Sequence, residues 1–415
     1  GISAASLGQL GVDMSEILRT VGQRIGQELA LELRDEVSHE DFWSKLSMQW
    51  RNLGMGDLEI DSFMGKRTTD IIRDRISSAW VGRVSGCMLG KPVEMLSIKH
   101  GVTRLQRYLV DVNAMPLREY IPFRLDVDDA VEHEGACIEE MSHSIPDDDI
   151  NYTVLSLLLV EEFGHKFTTA DVGRMWLRYL PGSMVFTAER EAYVKLLAEA
   201  GMRFPTGADS AVNIAECSDN QFNDWIGAQI RVDLYGWINP GDPSAAADMA
   251  RRDAELSHRG EGVYGAMVIA AAGASILGGE DPVRALEIAV EQIPANADCA
   301  TAVEAGLATA SSPTPERIRE LYGDLSPVHT VNNLALVAWA IARNVTDFAG
   351  AIGDVVSAGW DTDCNGATVG GLWGLTGEVP KEWGTRWNHS VHTSLSGMGP
   401  LTVEDLTDRT LALLA

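Results

Sequence analysis

Two carboxylates one residue apart, Asp361 and Asp363 in "GWDTDCNG" (359–366), stand beside a thiol, an amide and a glycine. Negative charges held that close repel unless a cation or a proton lies between them, so the pair implies a partner. The order Asp361, Asp363, Asn365, Gly366 opens like an EF-hand calcium loop, but such a loop closes with a bidentate carboxylate at its twelfth position. Leu372 holds that position, which excludes the EF-hand. Glu94 follows the helix-stopping "GKP" at 90–92, and Asp126, Asp128 and Asp129 crowd into "DVDDAVEHEG" ahead of a run with helical character. Adjacent acids at a helix start can cap it or hold a cation. Asp147, Asp148 and Asp149 in "PDDDINYT" can equally cap the next helix and are left out of the site. Oxygen donors with no clustered His or Cys pairs select Mg²⁺ or Mn²⁺, then Ca²⁺, and disfavour zinc.

Elements must bring these acids together. Gly82, Gly86 and Gly90 recur at every fourth position before Glu94, and Gly366, Gly370 and Gly374 do so after Asp363. At 3.6 residues per turn each row lines one helix face. A glycine costs about 1 kcal/mol per helical position relative to Ala, so close approach of another backbone must offset three of them. The two helices are expected to pack tightly at the centre, with acids beside each row.

Helix punctuation runs through the rest of the chain. Thr168 and Asp171 have capping-box spacing, as do Thr402 and Asp405, while Thr314, Pro315 and Gly323 frame a short helix. Period-two alternation is scarce, with "REYIPFRL" an ambiguous exception, and no parallel sheet is expected. "GEGVYG" (260–265) fits a dinucleotide fingerprint, yet the helical pattern of "DMARRDAELSHR" before it denies the strand such a fingerprint needs. Residues 1–67 are expected to form an N-terminal helical extension, with a junction near "LGMGDLEIDS", and 68–415 an all-α catalytic domain around a central divalent-metal site.

The bulk numbers narrow the function. With 45% hydrophobic residues the chain can fill a large core. Its 33 basic and 60 acidic residues give a net charge of −27, without the basic cluster that would neutralise phosphates, which argues against general nucleic-acid or anionic-membrane binding. Five scattered cysteines form no C-x-x-C pair. No leader pattern or long apolar run is evident, so a reducing, cytoplasmic setting is expected.

"GRVSGCMLGKPVE", "VDDA" and "GWDTDCNGATVGG", in this order, resemble the ADP-ribosylglycohydrolase family from about residue 70 to about residue 400. The resemblance implies an all-α hydrolase that binds two Mg²⁺ or Mn²⁺ ions and cleaves a bond at C1 of a ribose. It assigns Glu94, Asp128, Asp129, Asp361 and Asp363 to the metal centre, with Glu94, Asp129 and Asp361 in the catalytic step; Glu94, on a different segment from the two Asp pairs, is the candidate general base. The family's T-D-D threonine is here Val127, and the hydroxyl residue after its second D-x-D aspartate is Cys364. "PGSMVFTAER", "GAQIRVDLYGWINPGDP" and "SHRGEGVYGAM" are similar to a bacterial branch of the family. That branch implies substrate contacts at Gly182, Ser183, Met184, His258 and Tyr264. The implied substrate is ADP-ribosylated. A small nucleoside-like N-riboside and a silent ADP-ribose-binding role are the alternatives.

Overall fold

A computed structural model describes residues 57–124, 126–128, 130–131, 135–201, 214–377 and 379–414. Most of the expected N-terminal extension lies outside them. Residues Ile71–Ala415 form one compact unit. Among the described residues there are seventeen α-helices and one antiparallel pair of two-residue strands, Ser390–Val391 with Leu401–Thr402. The fold is therefore all-α, as the punctuation implies.

Three helices are apolar nearly all round, and such helices belong inside a core. Glu261–Leu277 is buried over most of its length, Thr330–Arg343 over twelve residues, and Thr362–Gly374 over all thirteen. Shorter helices close around them with their ends satisfied locally. Thr168 and Asp171 form a reciprocal capping box, as do Thr402 and Asp405. The expected cap at Thr314 shifts by one residue, because the helix runs from Glu316 to Tyr322 with Pro315 at the cap position. "GEGVYG" opens the helix Glu261–Leu277, with Gly260 at φ +50 as its N-cap, and the element before it is the helix Pro243–Ala254, so no strand precedes it. "REYIPFRL" forms no strand among its described residues.

The backbone is helical from Asp57 to Gly90, so the expected junction lies outside or inside helix rather than in a loop. The helix ends where Pro92 forces a 3₁₀ turn, Lys91–Val93, and a new helix starts at Glu94 and continues to Asp111. The glycine rows lie against each other antiparallel. A Cβ added to Gly82 would stand 2.1 Å from the Gly370 carbonyl oxygen, one on Gly86 1.9 Å from that of Gly366, and one on Gly374 2.4 Å from that of Ser78. Only glycine admits so close an approach of backbones.

Candidate active site

The glycine register sets the site. Gly90 lies against the backbone of Thr362, whose Oγ1 donates to the Gly90 carbonyl at 2.9 Å. The end of one helix thus meets the start of the other, and Lys91 and Glu94 come to face Asp361 and Asp363. Gly359 at φ +80 and Trp360 at φ +60 turn the chain into the second helix. A left-handed backbone at a bulky residue is uncommon and concentrates at functional sites. Asp361 occupies the N-cap position but makes no side-chain capping bond. Its N–H donates instead to Asn333 Oδ1 at 3.4 Å, which also accepts from Asn365 Nδ2 at 2.7 Å. Asp361 Oδ1 is left buried without a partner.

A third segment completes the cluster. Asp147 caps the helix Asp148–Phe163, accepting from the Asp149 N–H at 2.9 Å. Beneath it the buried Arg83 guanidinium donates to the Asp149 carbonyl at 2.9 Å, to Asp149 Oδ1 at 3.3 Å and to Asp233 Oδ2 at 2.8 Å, and also to the Ile230 carbonyl. Arg83 takes one oxygen of Asp149 and leaves Oδ2 buried without a partner. Between the segments, Lys91 Nζ lies 2.7 Å from Glu94 Oε2, 3.0 Å from Asp147 Oδ2 and 3.3 Å from Asp363 Oδ2.

Electrostatics follows from this crowding. Burial, then Asp363 and Glu94, pushes Asp361 well above the ordinary carboxylate range. Burial, then Asp147, does the same to Asp149 against the opposing pull of Arg83. Burial, then Asp363, raises Glu94. Asp147 is also penalised by burial, yet the Lys91 ammonium outweighs that and holds it low. Burial opposes the Lys91 charge, but Asp147, Asp363 and Glu94 raise its proton affinity. Carboxylates that burial and one another discharge call for positive charge between them.

Among the described residues, three sets have donor atoms within 4.8 Å of one another: Glu94, Asp361 and Asp363; Asp149, Asp363 and Cys364; and Cys87, Asp147 and Asp149. Asp363 belongs to two sets. Burial, then the neighbouring aspartates, keeps both thiols protonated, which makes them poor ligands for a hard cation. The unpartnered oxygens of Asp361 and Asp149, together with Asp363 and Glu94, fit Mg²⁺ or Mn²⁺.

The structure brings Glu94, Asp361 and Asp363 together but not Asp128. Both Asp128 oxygens are held by Arg104, at 2.6 and 2.5 Å, and Oδ1 also accepts from the Ala130 N–H at 3.0 Å. Arg104 lies ten residues along the helix from Glu94, past a break at Gly101. The described residues after Asp128 make turns, where a helix was expected, and Asp129 lies outside the described residues. Val127 sits beside Arg104 and Tyr108. The acidic run at the cluster is 147–149, the one set aside as a cap: Asp147 does cap, and its other oxygen meets Lys91.

Of the expected substrate contacts, Gly182–Met184 form a 3₁₀ turn with Gly182 and Ser183 exposed, and Tyr264 is half-buried. His258 is enclosed, 1% exposed. Its Nδ1 lies 2.8 Å from Ser257 Oγ, and Nε2 lies 3.8 Å from Glu189 within a buried ionic group of Arg231, Glu189 and Asp253. Burial, then Arg231, keeps the imidazole neutral. Lys91, Asn333 and Asn365 were not anticipated. Lys91 was visible in "GKPVE", but the proline next to it carried the reading.

Fold and site together define an all-α protein with a buried oxygen-donor centre at the joint of two glycine-faced helices. The sequence matches the ADP-ribosylglycohydrolase family over residues 68–413, so the chain belongs to that family and is a glycosidase-type hydrolase. A solved structure described as "ADP-ribosylglycohydrolase-related protein complex" superposes with a TM-score of 0.51 at 20% identity, covering 83% of this chain and 98% of that one. No curated protein matches. Among the described residues no helix is long and apolar enough to cross a membrane.

Proposed function

We propose that this chain is a divalent-metal-dependent glycosidase that hydrolyses the C1 bond of the ribose in an ADP-ribosylated substrate. The observation that carries the reading is the convergence of Asp149 and Asp361, each with a buried unpartnered oxygen, and of Asp363 on the junction of the two glycine rows. Asp149, Asp361 and Asp363 would hold Mg²⁺ or Mn²⁺, with Glu94 beside them. Bound there, the ion supplies positive charge that binds sugar hydroxyls and acidifies water. In this reading Asp147, Asp148 and Asp149 stand where the resemblance put Val127, Asp128 and Asp129, and Asp147 supplies the oxygen that Val127 lacks.

Cleavage at C1 develops positive charge on the ring, and a water must be held against the face opposite the leaving group. Glu94 suits the proton transfer, because its side chain is 19% exposed whereas those of Asp147 and Asp363 are 2% exposed. Burial and Asp363 raise its affinity for the proton it takes from that water. The exposed Gly182–Met184 turn is a surface for the rest of the substrate. Five buried cysteines with no C-x-x-C spacing suit a reducing, cytoplasmic setting.

The test is to strip the protein with chelator, return Mg²⁺ or Mn²⁺, and follow ADP-ribose release from ADP-ribosylated peptide by chromatography. Metal-restored release is expected. Ribose release from a simple N-riboside alone would move the substrate to the smaller class, and no turnover of either would overturn the reading.

A further inference from the structure

Among the described residues, Lys91 is a cation that reaches the candidate metal-holding carboxylates from the side of the Glu94 helix. Its ammonium is bound by carboxylates from three separate segments: Glu94 on its own, Asp147 at the start of the helix Asp148–Phe163, and Asp363 in the helix Thr362–Gly374. That is the environment a bound cation occupies, met here by a group tethered to the chain. The donor sets indicate two neighbouring positions that share Asp363, one with Glu94 and Asp361 and one with Asp149. Lys91 Nζ already binds Glu94 and Asp363 of the first. With the ammonium on Glu94 Oε2 and Asp363 Oδ2, a divalent ion drawn to the same position would meet a like charge at close range, so the two compete for it. The 3₁₀ turn Lys91–Val93, with Pro92 inside it and a buried Val93, holds the lysine backbone against the site.

We propose that the Lys91 ammonium fills one of the two cation positions, so that this chain takes one divalent ion where its carboxylates alone would take two. The proposal rests on reading the centre as a metal site. Its consequence is that the ribose is held by one ion and a lysine. The oxygens that remain for that ion include the unpartnered Asp361 Oδ1 and Asp149 Oδ2.

The experiment counts ions. Full-length protein and Lys91→Met are stripped with chelator and dialysed against Mn²⁺. Bound manganese per chain is measured by elemental analysis, and the electron paramagnetic resonance spectrum is recorded. One ion in the wild type, with the spectrum of isolated Mn²⁺, and two in Lys91→Met, with the exchange-coupled signal of a paired site, is the expected result. Two ions in the wild type, or equal counts in both proteins, overturns it. If the variant does not fold by circular dichroism, the wild-type count decides, one ion supporting the proposal and two or none overturning it. Two ions in both proteins would leave the metal reading intact, whereas none in either would end both.

Discussion

Gly86 and Gly366 meet backbone to backbone: a Cβ on either would stand within 2.3 Å of the other's carbonyl oxygen. The contact belongs to an antiparallel register that ends with Gly90 against Thr362, and so it places Glu94 beside Asp361. Packing and catalysis are therefore coupled through glycine. An added methyl cannot be absorbed by a rotamer change, because the obstacle is main chain.

Gly86→Ala is accordingly expected to destabilise the protein by about 3 kcal/mol, the upper part of the range for overpacking, and to lower activity by shifting the acids on the two helices apart. Gly399→Ala serves as the control, since Gly399 is exposed and no atom lies near its added Cβ. Urea unfolding of both variants checks this. Equal midpoints for Gly86→Ala and wild type would mean that the two helices can separate freely.

Glu94→Gln keeps the size of the side chain and removes its ability to take a proton. The expected result is a fall in kcat of about 10²–10⁴-fold, the usual contribution of general acid–base catalysis, with KM and the circular dichroism spectrum little changed. Turnover within a few-fold of wild type would assign the proton transfer to another group, with the half-buried Asp148 the next to test.

The glycine rows were legible because a period of four is a local property of the sequence, and three glycines on one face demand a close neighbour. The capping boxes at Thr168 and Thr402 were legible for the same reason. Which acidic run reaches the centre is not local. "VDDA" and "PDDDINYT" both look like acids before a helix, and only the path of the chain decides between them. Asp128 is held by Arg104, while Asp147 and Asp149 are carried to Lys91 and Arg83 by a helix that packs beneath the glycine pair. Lys91 was hidden similarly: its three carboxylate partners come from segments up to 272 residues away. His258 matched a family position, but its burial beside Arg231 follows from contacts that no short motif encodes.

Asp361→Asn separates binding from folding. In metal-free protein the Asp361 charge is disfavoured by burial, Asp363 and Glu94, so the amide should leave the metal-free form at least as stable as wild type. Saturating Mn²⁺ should stabilise the wild type by about 2.7 kcal/mol at a hundred times its Kd, and the variant by much less. Thermal unfolding with and without Mn²⁺ measures both. An undiminished metal-dependent shift in Asp361→Asn would remove Asp361 from the ion's ligands.

The pH dependence of stability has a definite sign at Asp233. Burial pushes this carboxyl up to about 6, against the pull of Arg83, and Oδ1 has no partner. The folded protein therefore binds a proton that the unfolded chain has already released, from the ordinary carboxylate range near 4 up to about 6. Stability from this group is full at the acid end of that window and is lost as pH rises through about 6, by on the order of 3 kcal/mol. Asp233→Asn cannot titrate, so its stability curve, measured by urea unfolding in chelator from pH 4 to 7, should be flatter than that of wild type by roughly this amount. Parallel curves for the two proteins would show that Asp233 is ionised throughout, and that the Arg83 guanidinium outweighs its burial.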